Sequence, residues 1–380
     1  MVLKKAQYFS RILLVALLLS STEVQAQQKC SIFFAKIGQI LTSLNPVARR
    51  NLPPEQAYLF GLEFTVTNEN IVNEGNRNPK DFSLANNPLK KETLTKYWEL
   101  LKEKCRNFAG CRSTVSSDKH GEALRLQFQD GFYFTVGNDS AVIEINAKPQ
   151  TIEGFAKVKH YLDDFVFKLA AEVDLKPHQR AGQGHIHISR VALKENAMLL
   201  RNFFVDFQNR PEIIYGALGN HLLNSPPLSA QKPEQRMALK NLLSRLDHGR
   251  YSINDFINGV EREVYTSSAA GDWGSYEYYQ AFNMTRLQKA RSAATIEIRS
   301  FRPQRSTREF QLQTKLLSTW IEHLRKMDKP VEYNMADRHE FSKQEVVDAY
   351  HKLTAELGLP WNEYKELLPP HLINVEPTRG

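Results

Sequence analysis

Alternation of apolar and polar residues along the chain predicts a group of β-strands. Six runs have this pattern, and they occupy residues 58–67, 123–128, 132–136, 141–147, 185–191 and 295–300. Glycine and asparagine turns separate the second, third and fourth runs, which predicts an antiparallel meander. The asparagine-rich stretch 68–87 predicts a surface loop after the first strand.

Apolar positions spaced 3–4 residues apart predict helices in the rest of the chain. These helices cover residues 31–44, 92–108, 152–173, 195–208, 211–223, 233–247, 252–264 and 307–327, and one more begins at 342. Ser252 with Asp255, and Ser342 with Glu345, have the spacing of a capping box. The helices between about 195 and 265 predict a helical insertion, and the last two predict a helical C-terminal region. This order is typical of an α+β fold with a largely antiparallel sheet.

Composition and charge exclude several classes of protein. The chain has 380 residues, of which 42% are hydrophobic and 24% are charged. A chain of this length and apolar content is expected to bury a large core rather than to remain disordered. The formal net charge is +8, but the basic residues are spread along the chain without interleaved aromatic residues, so we expect no nucleic-acid partner.

The first 26 residues have the three parts of a secretory signal peptide. Lys4, Lys5 and Arg11 precede or border a short apolar run at 12–19, and Val24-Gln25-Ala26 matches a cleavage site after Ala26. No other apolar run approaches the roughly 18 residues of a membrane span. The sequence therefore predicts a signal peptide at 1–26 and one exported domain at 27–380, periplasmic or secreted, with no stable membrane anchor. The oligomeric state stays open.

The cysteine pattern permits a disulfide without requiring one. Cys105 and Cys111 would close a short loop at the end of a predicted helix, and an exported protein meets an oxidising compartment. Cys30 would then be left without a partner. The spacing leaves open whether Cys105 and Cys111 are bridged.

Ionisable residues occupy strand positions that an ordinary sheet gives to neutral side chains. They are Glu63, Glu144, His185, His187, Glu297 and Arg299, with Ser189 following on the histidine strand. Each run alone is typical of a solvated outer face. Taken together, three carboxylates and an imidazole on adjacent strands would repel one another or lose hydration unless a cation joined them. Carboxylates and an imidazole suit Mg²⁺ or Mn²⁺, and an arginine beside them suits a planar anion.

The local form and order of these runs resemble a known family. The runs are Gly61-Leu62-Glu63-Phe64-Thr65, Asp139 through Glu144 to Pro149, His185-Ile186-His187-Ile188-Ser189 and Glu297-Ile298-Arg299. In this respect the chain resembles the glutamine synthetase-like carboxylate–amine ligases, and among them the amidoligase branch. The resemblance implies an antiparallel sheet with a concave face that binds metal and nucleotide.

The resemblance also implies a reaction and a role for each site residue. The reaction is ATP- and Mg²⁺-dependent formation of an amide or isopeptide bond through an acyl phosphate, from small-molecule or peptide carboxylate and amine substrates. Mg²⁺ or Mn²⁺ would be held by Glu63, Glu144, His185 and Glu297. His187, Ser189 and Arg299 would contact the phosphate that is transferred, which makes His187, Glu297 and Arg299 the candidate catalytic residues. Arg302 and Arg305 are candidates for holding the substrate carboxylate.

Two alternatives use the same residues. Thr65 stands where the family has a second glutamate on the first strand, which favours a non-catalytic binding protein of ligase ancestry. Export favours a metal-dependent hydrolase on the same Glu/His cluster, because a metal-bound water needs no ATP. The identity of the substrates cannot be read from the sequence.

Overall fold

The predicted strands form one eight-stranded antiparallel sheet in the computed structural model. The strands are β1 (Phe60–Val66), β2 (Arg112–Asp118), β3 (Gly121–Gln127), β4 (Tyr133–Asp139), β5 (Val142–Gln150), β6 (Gly184–Ser189), β7 (Phe282–Asn283) and β8 (Thr295–Phe301). Their order across the sheet is β2-β3-β4-β5-β1-β6-β8-β7. The meander predicted for β3 to β5 is confirmed, and β1 lies in the middle of the sheet between β5 and β6.

The structure describes most, but not all, of the chain. The described residues are 58–77, 87–118, 121–139, 142–178, 181–182, 184–189, 193, 196–219, 233–265, 280–284, 287, 295–334 and 340–378. All of them belong to one compact unit, Pro54–Gly380. The predicted signal peptide, Cys30 and the predicted helix at 31–44 lie outside the described residues.

Helices account for most of the remaining described residues. They are α1 (Glu69–Arg77), α2 (Pro88–Arg106), α3 (Ile152–Tyr161), α4 (Lys168–Glu172), α5 (Ala197–Gln208), α6 (Pro233–Asp247), α7 (Ile253–Gly259), α8 (Thr307–Arg325), α9 (Lys343–Glu356) and α10 (Trp361–Tyr364). A π-helical segment, Leu162–Phe167, joins α3 to α4, and two others follow α5 and α7 at Ile213–Ala217 and Val260–Val264. The α+β class predicted from the sequence is confirmed. None of the helices in the described ranges is long and apolar enough to cross a membrane.

One face of the sheet is apolar and packs against helices. Phe64 of β1 contacts Phe310 of α8 with ring centroids 4.0 Å apart, and Phe167 of the π-helical segment at 5.6 Å. Ile145 pairs directly with Phe64 and is also fully buried. Full burial of each such side chain stabilises the fold by about 1.5–3 kcal/mol. The alternation of residues along each strand therefore leaves the opposite face to the polar residues.

The helical insertion predicted at about 195–265 contains α5, α6 and α7. Phe203 of α5 packs against Phe282 of β7 and against Trp320 of α8, with centroid distances of 5.2 and 5.9 Å. Asn196 caps α5 by accepting a hydrogen bond from Leu199 N. The insertion thus shares the hydrophobic core of the sheet instead of forming a separate one.

Two elements differ from the sequence-based prediction. The stretch 68–87 was expected to be a loop, yet α1 begins at Glu69, where Asn68 Oδ1 accepts a hydrogen bond from Ile71 N at 2.9 Å. Ile71 and Val72 are the only hydrophobic residues in the sequence of α1, so the helix has almost no apolar pattern. The polar strand β2 was missed for a similar reason, because as an edge strand it has no buried side chain among the described positions.

Cys105 and Cys111 are joined by a disulfide. The bridge closes the loop between the end of α2 and the start of β2, where Cys111 N also donates to Phe108 O. It therefore fixes the connection from a helix on the apolar face to the edge of the meander.

Candidate functional site

Three ionisable side chains from three adjacent strands converge on the polar face of the sheet. Glu63 of β1, His187 of β6 and Glu297 of β8 each offer one ligand atom, and these atoms all lie within 4.8 Å of one another. Strand pairing explains the convergence, because Glu297 is the direct partner of His187 across β6 and β8. We call these three residues the metal triad, after the ion that they are suited to hold.

A glycine on β1 allows the triad to come together. Gly61 is the direct partner of His187 across β1 and β6. A Cβ at this position would lie 3.2 Å from His187 Cβ, which is tighter than ordinary side-chain contact. Gly61 therefore leaves the room in which the His187 side chain stands beside Glu63.

His185 contacts both carboxylates of the triad. Its Nδ1 forms a short hydrogen bond with Glu63 Oε1 and lies 3.5 Å from Glu297 Oε1. Burial disfavours the charged form of Glu63, but the charges and hydrogen bonds of His185 and His187 outweigh it and hold the pKa of Glu63 well below its ordinary value. Glu63 is therefore an ionised ligand held in place by the two imidazoles.

Glu297 is the most deeply buried member of the triad, with 1% of its surface exposed. Arg299 Nη1 donates to Glu297 Oε1 at 2.7 Å, and Asn283 Nδ2 donates to Oε2 at 3.3 Å. Both donors compensate the loss of hydration that an ionised buried carboxylate suffers. Arg299 thus lies directly beside the triad, as its spacing from Glu297 predicted.

Thr295 orients the imidazole of His187. Its Oγ1 lies 3.2 Å from His187 Nδ1, and this contact leaves Nε2 facing the carboxylates, 3.4 Å from Glu63 Oε2 and 3.9 Å from Glu297 Oε1. Histidines that bind metals usually hydrogen-bond through their second nitrogen in this way. Sequence analysis missed Thr295, although its spacing of two residues from Glu297 places it on the same strand face.

Glu144 lies on the same face of the sheet but outside the triad. It pairs directly with Thr65 across β5 and β1, and its Oε1 accepts a short hydrogen bond from Asn146. Burial, together with the negative charges of Glu63, Asp139 and Glu297, raises the pKa of Glu144 to about 8, against the lowering effect of Asn146. At neutral pH the carboxyl of Glu144 is therefore mostly protonated.

The remaining candidates take different positions. Ser189 ends β6, on the same face as His187, and its backbone N–H donates to Leu59 O at 3.0 Å. Glu69, at the start of α1, lies 3.2 Å from His178 Nε2 and is not part of the triad.

The expectation that Arg302 holds a substrate carboxylate is wrong. Arg302 is buried, binds Glu309 at 2.7 Å and donates to the carbonyl oxygens of Glu366 and Leu367. Arg305 also donates to Glu309, at 2.8 Å. Arg302 follows the last residue of β8, Phe301, and its donors are taken by Glu309 of α8 and by these carbonyls.

The triad suits a divalent cation. Two carboxylates and one imidazole form a mixed oxygen and nitrogen donor set that both Mg²⁺ and Mn²⁺ accept. Ligands about 2.1 Å from a Mg²⁺ ion lie at most about 4.2 Å apart. Only one pair among three ligands of an octahedral ion can reach this limit, and adjacent ligands lie about 3.0 Å apart. His187 Nε2 is 3.4 Å from Glu63 Oε2 and 3.9 Å from Glu297 Oε1, so the triad would contract around a bound ion.

Comparison with known proteins assigns the chain to no family. No protein-family model matches the chain, and no curated protein matches it either.

Proposed function

We propose that the chain is an exported, ATP- and Mg²⁺-dependent carboxylate–amine ligase of the glutamine synthetase-like type. The observation that supports it is the convergence of Glu63, His187 and Glu297 on one sheet face, with Arg299 hydrogen-bonded to Glu297. A buried group of carboxylates beside an arginine suits a metal–phosphate complex, because the cation and the guanidinium together neutralise phosphate charge.

The metal triad would hold the first Mg²⁺ or Mn²⁺ ion. His187 takes a ligand role here, in place of the phosphate contact that the resemblance implies, because its Nε2 faces both carboxylates. His185 orients Glu63 through the Nδ1 hydrogen bond. A bound divalent cation supplies the charge that withdraws electrons from phosphate oxygens during phosphoryl transfer.

Arg299 and Ser189 are the residues that would bind the phosphate. The side chain of Arg299 is largely buried, with 12% of its surface exposed, and its planar guanidinium lies beside the triad. Such a group pairs with two oxygens of an anion. Ser189 is partly buried two residues beyond His187 on the same strand face, where its hydroxyl would donate to a phosphate oxygen.

Glu144 would become a ligand only with a second cation. Its carboxyl keeps a proton at neutral pH in the absence of a positive charge nearby, and a second divalent ion would displace that proton. Thr65 pairs with Glu144 where the family has a carboxylate, so this second position has one acidic ligand fewer.

A metal-dependent hydrolase is the second candidate function. The observation that favours it is the composition of the triad, since one imidazole and two carboxylates around an open position also suit a metal ion that carries a reactive water. Such an enzyme would require the cation but no nucleotide. It would therefore also be compatible with export from the cytoplasm.

The test measures the melting temperature of the mature chain, residues 27–380, with Mg²⁺ or Mn²⁺, with and without ATP. The ligase predicts a shift that requires the cation and the nucleotide together. The variants Glu297→Gln and Arg299→Ala should remove this shift. Glu122→Gln is the matched control, because Glu122 is an exposed acid on β3 of the same sheet.

Three other results are informative. A shift with the cation alone, unchanged by ATP or ADP, would replace the ligase with the hydrolase. No shift with any combination would leave a non-catalytic binding protein. A shift that survives Glu297→Gln would place nucleotide binding somewhere other than the triad.

A further inference from the structure

Three cations lie on the same polar face of the sheet as the metal triad, but on the strands of the meander. They are Arg112 of β2, Arg125 of β3 and Lys148 of β5, and we call them the cationic patch. Strand pairing places them on one face. Arg112 is opposite Gln127, which is two residues from Arg125 on β3. Arg125 is opposite Thr135, Thr135 is opposite Asn146, and Lys148 is two residues from Asn146 on β5. No carboxylate in the described part of the chain forms an ion pair with any of the three. The patch is therefore an uncompensated positive surface.

The patch is continuous with the triad across the strands. Arg125, Thr135, Asn146 and Glu63 are direct partners on β3, β4, β5 and β1 in turn. Adjacent strands lie about 4.8 Å apart, so the backbones of Arg125 and Glu63 are separated by about 14 Å. Thr135 and Asn146 lie directly between them, and Glu144 and Lys148 flank Asn146 on the same face of β5.

Arg125 is held in position before any ligand arrives. Its guanidinium carbon lies 3.8 Å from the centroid of the Tyr133 ring. Its Nε is buried and has no hydrogen-bond partner, and Nη2 makes one long hydrogen bond of 3.4 Å with Gln127 Oε1. Stacking restricts the rotation of the side chain, and an arginine that is short of acceptors binds planar anions well.

Lys148 is also held by the backbone rather than by an acid. Its Nζ donates to Gly131 O at 2.8 Å, in the turn that precedes β4. Gly131 has a φ of +79°, a backbone conformation that strains any residue with a side chain. Glycine at this position therefore allows the turn that presents its carbonyl to Lys148. The ammonium group of Lys148 is thereby held at the turn before β4, and this single hydrogen bond uses one of its three N–H donors.

We propose that the cationic patch binds a carboxylate of the substrate, and that the substrate is a short acidic peptide lying across strands β3, β4, β5 and β1. This inference rests on the proposed function, since it assigns the substrate of the same sheet face. An extended peptide advances about 3.4 Å per residue, so about four residues span the distance from Arg125 to Glu63. One carboxylate of the peptide binds Arg125, and the reacting group lies at the triad.

The experiment titrates the mature chain with a tetrapeptide by calorimetry in the presence of EDTA. The probe is Glu-Ala-Ala-Ala with a blocked N-terminus and an amidated C-terminus, so that no second carboxylate meets the acids of the triad. The uncharged control is the same peptide with Gln in place of Glu. We expect the acidic peptide to bind at least tenfold more tightly than the control. EDTA keeps divalent cations out of the experiment, so peptide binding is measured without metal or nucleotide. A failure of the proposed nucleotide binding would therefore not affect this result.

Variants locate the binding. Arg125→Gln should weaken the acidic peptide at least about tenfold, and Arg125→Lys, which keeps the charge without the planar fork, should weaken it less. Arg106→Gln is the matched control, because Arg106 is an exposed arginine on α2. Melting temperatures of all variants should agree with the parent, which excludes unfolding as the cause.

Several outcomes would overturn the inference. Equal binding of the two peptides would show that the carboxylate is not recognised. Equal binding by Arg125→Gln and Arg106→Gln would place the carboxylate away from the patch. Tighter binding of inorganic phosphate than of the acidic peptide would make the patch a phosphate site instead.

Discussion

Two buried ionic clusters lie at the two ends of β8, and they are built differently. In the first, beyond the end of the strand, Arg302 binds Glu309 and two backbone carbonyls. In the second, two carboxylates, Glu63 and Glu297, converge with His187. The first cluster directs its donors to acceptors within the protein, whereas the second brings two acids and a histidine together on the polar face of the sheet.

The difference separates a structural ion pair from a candidate binding site. Glu309 has its pKa lowered, because Arg302 and Arg305 outweigh the cost of its burial. Near the triad, the carboxyl of Glu144 instead has its pKa raised, since burial and neighbouring acids act in the same direction. The acid of the first cluster is matched by two arginines, whereas no positive charge lowers the pKa of Glu144 beside the second cluster, where an added cation would fill that role.

The largest effect is expected from breaking the structural cluster. Arg302→Leu should lower the free energy of unfolding by about 3–5 kcal/mol, because it leaves Glu309 buried opposite fewer cations. Urea unfolding measures this loss. Mn²⁺ affinity of the folded variant should equal that of the parent. A weaker affinity with unchanged stability would mean that Arg302 serves the triad after all.

Glu297→Gln should do the opposite of Arg302→Leu: it should weaken Mn²⁺ binding and change the free energy of unfolding little. Removing one of two acidic ligands should weaken Mn²⁺ binding by at least about 100-fold, or about 2.7 kcal/mol. The amide keeps the volume and one hydrogen-bond acceptor, so the free energy of unfolding should change much less than in Arg302→Leu. Calorimetric titration gives the affinity, and Glu122→Gln again serves as the control. Unchanged Mn²⁺ affinity would remove Glu297 from the site.

Lys90 is a third kind of buried ionisable group, because its hydrogen bond goes to a backbone carbonyl and not to a carboxylate. Its Nζ donates to Asp139 O at 2.7 Å, and burial lowers the pKa of Lys90 to about 7, although the charge of Asp139 raises it. Between pH 7 and about 10.4 the unfolded chain keeps a proton that the folded chain has lost. The folded state therefore gains stability as the pH rises through this range.

The expected gain from pH 7 to pH 9 is about 2 kcal/mol in the free energy of unfolding. Lys90→Met should abolish this contribution, because methionine does not titrate. Urea unfolding of both proteins at the two pH values provides the test. A pH dependence that is the same in the parent and in Lys90→Met would show that the Lys90 pKa is not depressed.

The smallest effect is expected from Thr295, which touches the triad only through His187. Thr295→Val should weaken Mn²⁺ binding about tenfold, because the imidazole loses the contact that directs Nε2 towards the carboxylates. Thr295→Ser should restore the affinity, since it keeps the hydroxyl. Equal affinities for the valine and serine variants would mean that packing alone orients His187.

Much of the fold was predictable because burial leaves a periodic pattern. Apolar and polar residues alternate over most of β1, β5, β6 and β8, and the polar faces of these strands carry the residues that the site uses. The helix α1 and the edge strand β2 were missed because few of their side chains are buried. Local capping by Asn68, rather than apolar spacing, sets the start of α1.

The sequence predicts a metal set of Glu63, Glu144, His185 and Glu297, whereas the structure groups Glu63 and Glu297 with His187. Alternation placed Glu63, His187 and Glu297 on one face, yet only strand register determines that His187 is the direct partner of Glu297. Asn283 was missed because β7 has only two residues and hence no periodicity. The isolation of Glu144 from the triad depends on side-chain direction, which residue spacing does not encode.

The most direct test of the central claim is a crystal structure of the mature chain soaked in Mn²⁺, with anomalous diffraction recorded at the manganese edge. The account predicts a single strong anomalous peak within about 2.2 Å of ligand atoms from Glu63, His187 and Glu297. A peak at another position, or no peak at the triad at a saturating Mn²⁺ concentration, would contradict the account.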